Sequence, residues 1–217
     1  SLIASLEADK LQARAILDDN STQGGRVQAL ISDLPRDGNL IERLQRGDLF
    51  AQLRYRGPAQ SLWRLAAIDL LDFSGPVAIA ADVRGTLERP RVRGSLSSDD
   101  LRVQSAISGT DIRDASVRGD FAGSRLRINS FKGTAPNGGA ITGSGVVDLK
   151  NLGAGRGPEI DIRAGARKAQ LVDARGLKAT VTGPLRIVSN GSGGTIAGRL
   201  AVDRASWKLG VGAETTK

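Results

Sequence analysis

Residues 75–96 read GPVAIAADVRGTLERPRVRGSL, and residues 183–200 read GPLRIVSNGSGGTIAGRL. Each phrase opens on Gly-Pro, alternates apolar with polar residues, breaks at a turn and alternates again to a Gly-x-Leu close. A period of two puts successive side chains on opposite faces of a strand, so each phrase predicts a strand opened by Gly-Pro and folded back as a hairpin. A hairpin module stated twice points to an extended β array rather than a compact enzyme fold. The second copy is the shorter, which argues against a strictly periodic β-solenoid such as an adhesin stalk.

The same alternation spreads outward from these two phrases. Leu2, Ala4, Leu6 and Ala8 share one face, as do Leu11, Ala13, Ala15 and Leu17, then Val27, Ala29 and Ile31, then Leu49, Ala51, Leu53 and Tyr55. Asp18-Asp19-Asn20 reads as a turn. Two stretches have helical spacing instead. Leu40, Ile41 and Leu44 follow a capping Asn39 and precede a stop at Gly47; Leu62, Leu65, Ala66 and Leu70 predict a second short helix over 61–71, with Trp63 at its edge. From Gly75 onward the pattern is purely β, punctuated by turns at Glu88-Arg89-Pro90, Gly123-Ser124, Pro136-Asn137-Gly138-Gly139, Gly155-Arg156-Gly157-Pro158 and Asn190 to Gly194. The chain reads as one segment of a longer β-groove protein: strands with two short helices over 1–74, then a β meander over 75–217.

Composition decides between a filled sandwich and an open sheet. Hydrophobic residues make up 40% of the 217, but aromatics only 3%, and there are 28 glycines. Leu, Ile, Val and Ala carry the apolar faces, with few rings to fill a thick core. Glycines in or beside strands (Gly94, Gly109, Gly119, Gly143, Gly145, Gly198) help a sheet bend. The prediction is an all-β fold: an elongated, curved antiparallel sheet of a dozen or more strands, forming an open groove with an apolar concave face, and one or two short helices. The net charge of +8 is mostly arginine spread between acids without a dense cluster, which fits solvated outer faces; the functional reading of that charge is attraction to an anionic lipid or nucleic acid. Trp207 reads as an apolar-face residue or part of an interface with a following segment.

Catalytic chemistry has little to work with. His and Cys are both absent, which removes a Ser-His triad, a thiol nucleophile and an ordinary zinc site. Asp18-Asp19 and Asp99-Asp100 sit in turn-like contexts. The Gly-rich runs at 153–157 and 191–194 lack the Gly-Lys-Ser/Thr of a phosphate-binding loop. The expectation is no enzyme, no metal and no cofactor. Seven aromatics scattered along the chain do not make the stacking platform of a single-strand nucleic-acid binder.

Five phrases together carry a family likeness: GPAQSLWRLAAIDLLDFSGP at 57–76, VAIAADVRGTLERPRVRGSL at 77–96, ITGSGVVDL at 141–149, LVDARGLKATVTGPLRI at 171–187 and IAGRLAVDRASW at 196–207. In their order and spacing they resemble the TamB family of translocation and assembly module subunits, AsmA-like proteins of diderm bacteria, near the C-terminal part. The resemblance implies a β-taco groove like that of bridge-like lipid-transfer proteins, in a parent anchored in the inner membrane and crossing the periplasm. It also implies the outer-membrane barrel protein TamA as partner, and roles in phospholipid transport and in assembling outer-membrane barrels.

On this reading the groove is lined by the aliphatic face of the strands: Val77, Ile79, Val83, Leu101, Val103, Leu126, Ile128, Val147, Leu149, Ile160, Ile162, Leu185, Ile187, Leu200 and Val202. Its occupants are phospholipid acyl chains. Two alternatives stay open. The same residues fill an ordinary closed core, or the exposed strand edges template unfolded barrel proteins by β-augmentation.

Overall fold

The structure is a computed structural model that describes residues 2–7, 9–19, 23–61, 72–87, 89–106, 108–150, 157–174 and 176–208. Fourteen strands form one antiparallel sheet: β1 (Leu2–Leu6), β2 (Leu11–Asp19), β3 (Gln23–Ser32), β4 (Asp48–Pro58), β5 (Asp72–Ser74), β6 (Pro76–Gly85), β7 (Pro90–Gln104), β8 (Asp111–Gly123), β9 (Arg125–Ala135), β10 (Gly139–Asp148), β11 (Glu159–Ala174), β12 (Leu177–Asn190), β13 (Gly194–Gly198) and β14 (Ala201–Trp207). Their order in the sheet is their order in the chain, with two exceptions: β5 pairs with the far end of β7, and β13 and β14 share one side of β12. β4 pairs directly with β6, so the sheet runs unbroken from the N-terminal strands into the meander. At about 4.8 Å per strand the sheet extends roughly 50 Å across its strands.

In such a meander the connections fall alternately on two long margins. One margin carries the short helix α1 (Leu40–Arg46) and the connections after β6, β8 and β12. The other carries the 105–110 loop and the 3-10 turn Pro136–Gly138. We call them the helix margin and the bridged margin. α1 forms where the spacing places it. Asn39 accepts from the Glu42 amide at 3.0 Å, Glu42 answers the Asn39 amide, and the Gly47 N–H closes the helix on Arg43. Leu44 packs with Ile31, Leu34 and Leu49, whereas Leu40 and Ile41 face solvent, because a helix of two turns touches the sheet along one line only. Of the second helix expected over 61–71, only Ser61 is described, at the end of a helical stretch that begins at Ala59; the remainder, including Trp63, lies outside the described residues.

The two Gly-Pro phrases both fold as hairpins, β6 with β7 and the latter half of β12 with β13. They differ in how they begin. Gly75-Pro76 opens β6 as expected, but Gly183-Pro184 lies inside the continuous β12. The two glycines share a backbone reason all the same. Gly75 (φ 105°) and Gly183 (φ 145°) are both left-handed, and a Cβ would overlap the carbonyl oxygen of Asp100 in one case and Arg199 in the other. Asp99-Asp100, expected in a turn, lies within β7 at a register shift between Ser98 and Leu101, where an extra residue bends the strand.

Extensive strand contacts run between hydrogen-bonded neighbours, apart from β11, which also meets β9 and the 3-10 turn. The sheet is therefore a single layer, yet Ala115 and Ala169 have no exposed surface at all. A flat layer leaves both faces wet, so this burial requires the sheet to curl onto itself. The curl is visible at the bridged margin. Residues after β7 bond to β11, three strands away from β8: Thr110 Oγ1 donates to the Leu171 carbonyl and the Asp173 amide to the Ser108 carbonyl, both at 2.7 Å. In addition, Asn137 Nδ2 donates to Gln170 Oε1 at 2.9 Å.

Candidate lipid groove

Register decides which side chains share a face, because directly opposed residues point the same way. Starting from β4, Leu53 lies opposite Ala81, then Gly94, Phe121, Leu126, Val147 and Ile160 on successive strands. A parallel row runs from Tyr55 through Ile79, Leu96, Gly119, Ile128, Gly145, Ile162 and Ile187 to Ile196. A third joins Val117, Phe131, Gly143, Ala164, Leu185 and Gly198. These rows lie across the strands and make one continuous apolar face with no charged residue in them.

The expected lining residues distribute over this face by depth. Val77 and Leu101 are buried. Ile79, Val83, Val103, Leu126, Ile128, Val147, Leu149, Ile160, Ile162, Leu185 and Ile187 are half-buried, with Leu149 just beyond the end of β10. Leu200 lies in the break between β13 and β14, and Val202 in β14, with 39% and 63% of their surfaces exposed. These two sit at the open end of the face, because β13 and β14 flank β12 on its outer side. Trp207, also on β14, is 73% exposed.

The alternation also held residues that the list of lining candidates lacks. Ala115, Val117, Gly119 and Phe121 alternate along β8, as do Phe131, Gly133 and Ala135 along β9. The glycine in each run hid the period. Tyr55, Ile112, Ile141, Ala166, Ala169 and Val181 complete the buried cluster, and the Tyr55 hydroxyl donates to the Pro58 carbonyl at 2.8 Å.

The opposite face is polar and tied by cross-strand ion pairs. Arg54 meets Asp82 at 2.9 Å, Arg125 meets Asp148 at 2.9 Å and Arg186 grips Asp161 through two nitrogens at 2.8 and 2.7 Å. Arg118 binds Asp99, and Asn129 binds Asp120. Asp111 is held most firmly. Arg102 bonds both its oxygens, at 2.7 and 2.9 Å, and Arg113 adds a third bond, which lowers its carboxyl to about 2 against the cost of desolvation. Asp148 is also lowered, by Arg125 first and then by Ser124 and the Lys150 amide, which fastens the start of the connection after β10. Among the described residues no cluster of acids is arranged to hold a metal ion, and no helix is long and apolar enough to cross a membrane.

Comparison with known families bears on this sheet directly. Residues 129–217 match the family model described as the TamB C-terminal domain. Over residues 129–217 the chain is similar to the TamB family. The match starts within β9, and the same sheet continues on its other side to β1. The TamB family is linked to the translocation and assembly module, as the resemblance of the five phrases implied. No curated protein and no solved structure matches the chain.

Proposed function

We propose that this chain is a stretch of a periplasmic bridge whose apolar face shields phospholipid acyl chains moving between the inner and outer membranes, without enzymatic chemistry. The observation that carries this reading is the unbroken apolar face of a single-layer sheet, with its lining half-buried. A methylene group costs about 0.8 kcal/mol to expose to water, so an acyl chain leaving a bilayer needs continuous apolar cover. Rows of apolar residues and glycines crossing strand after strand offer cover at each step, and none forms a deep pocket that would hold the chain. The parent, on this reading, is anchored in the inner membrane and works with the outer-membrane barrel protein TamA.

Site-specific photo-crosslinking in cells tests it. Probes at Ile79, Val103 and Leu185 are expected to capture phospholipid, while outward probes at Asp82, Arg102 and Arg186 capture none. Lipid on neither set would overturn the reading in favour of a closed structural core.

One observation favours a second reading, a scaffold for outer-membrane barrel assembly. β13 and β14 are exposed along their whole length, with Ile196 69% and Trp207 73% accessible. A sheet end of that kind accepts another strand. A probe at Ile196 that captures a barrel protein, with no lipid at the inward positions, would support this role over transport.

A further inference from the structure

The arginines that look evenly spread in the sequence do not share one environment. On the outer face several arginines pair with aspartate across strands, among them Arg54 with Asp82, Arg125 with Asp148 and Arg186 with Asp161. The β6–β7 hairpin holds a group that does not. Arg84 lies directly opposite Arg91, and Arg93 lies opposite Asp82, whose carboxylate is already held by Arg54. Arg89 stands in the turn between them. All four are exposed, and among the described residues none of the four has an acid as partner. Like charges facing each other across an antiparallel pair are destabilising, so this hairpin carries a repulsion that an anion would relieve.

The same margin also exposes apolar groups. Leu87 at the turn is 46% accessible, and Leu40 and Ile41 on α1 are 46% and 69% accessible. Phe50 is partly exposed opposite Arg84, whose guanidinium lies 5.3 Å from the centre of its ring. We propose that the helix margin of β4–β7, which carries Arg84, Arg89, Arg91 and Arg93 and also the exposed Leu87 and Ile41, docks on an anionic phospholipid bilayer. Arginines meet headgroup phosphates while the aliphatic tips enter the interface. A nucleic acid fits less well, since Phe50, the aromatic ring at this site, is covered by Arg84. The inference stands apart from the groove: it concerns the outer rim, whatever the apolar face carries.

Co-sedimentation of the 217-residue chain with vesicles tests it. Binding is expected to vesicles of phosphatidylethanolamine and phosphatidylglycerol and to fall as salt rises, with little binding to pure phosphatidylcholine. Each basic residue at an anionic surface contributes about fivefold, so Arg84→Gln/Arg91→Gln/Arg93→Gln together should weaken binding on the order of a hundredfold. Ile41→Ser/Leu87→Ser should weaken it at least several-fold, with circular dichroism confirming the sheet in each variant. The control Arg127→Gln/Lys132→Gln/Arg167→Gln removes the same charge from β9 and β11 and should change binding by less than threefold. An equal loss in the control would reduce the effect to net charge and overturn the proposal, as would the absence of vesicle binding.

Discussion

The two margins of the sheet are made from the same alternation and end up physically different. At the bridged margin, Ala115, Ala135 and Ala169 are enclosed and the 105–110 loop is hydrogen-bonded across to β11. Toward the helix margin, Leu126, Val147 and Ile160 remain half-open on the same face. The side chains with no exposed surface at all, Ala115 and Ala169, are among the smallest, and they sit among buried Ile112, Ile141 and Val181. Curling a single layer crowds its inner face where the radius is tightest, which favours small residues at the points of closest approach. A methyl on Gly139, for instance, would overlap the backbone of Lys168 and Ala169.

The sharpest way to break this contrast is volume. Ala169→Leu adds three carbons where no surface is exposed, and overpacking of that kind costs about 1–3 kcal/mol or more. Val147→Leu adds one carbon to a half-open row and should cost under about 1 kcal/mol. Urea unfolding of both variants measures the difference; equal losses would mean that the two margins are packed alike.

A second test addresses what holds the bridged margin. Asp111 has a folded pKa of about 2, below the ordinary 3.8. A carboxyl lowered by folding stabilises the protein above its unfolded pKa, and that contribution is lost as pH falls from about 4 toward 2. Asp111→Asn should therefore cost of order 2 kcal/mol at pH 7 and progressively less toward pH 2. Thermal unfolding against pH reads this directly; a pH-independent loss would assign the effect to packing. The smallest effect belongs to α1. Asn39→Ala removes its capping box and should cost about 1 kcal/mol, felt at the helix margin as faster amide exchange in residues 40–46 and little change at Ala169.

Much of the face was legible because alternation is a local signal. Val77, Ile79 and Val83, or Ile160 and Ile162, declare their face without reference to any partner. The capping Asn39 and the stop at Gly47 announced α1 in the same way. What was illegible depends on partners far away in the chain. Nothing near Ser108 or Thr110 indicates that their hydrogen bonds lie with Leu171 and Asp173. The shift between Ser98 and Leu101 arises from pairing with β8, so Asp99-Asp100 imitates a turn. Gly183-Pro184 reads as a strand opening because its distinctive backbone faces the break at Arg199, a cause that belongs to another strand. Charge was misleading for the same reason, since evenly spaced arginines become paired or unpaired according to which strand lies next to them.

The order of strands in the sheet also bears on how such a molecule is built and lengthened. Nearly every strand pairs with the one made just before it, so each new hairpin closes a short loop and adds to an existing template. The chain can fold progressively from its first strand as it emerges, without waiting for distant segments. Inserting or deleting a pair of strands changes the span by about 10 Å while leaving the remaining register intact. A protein organised in this way can be set to a given length by counting hairpins.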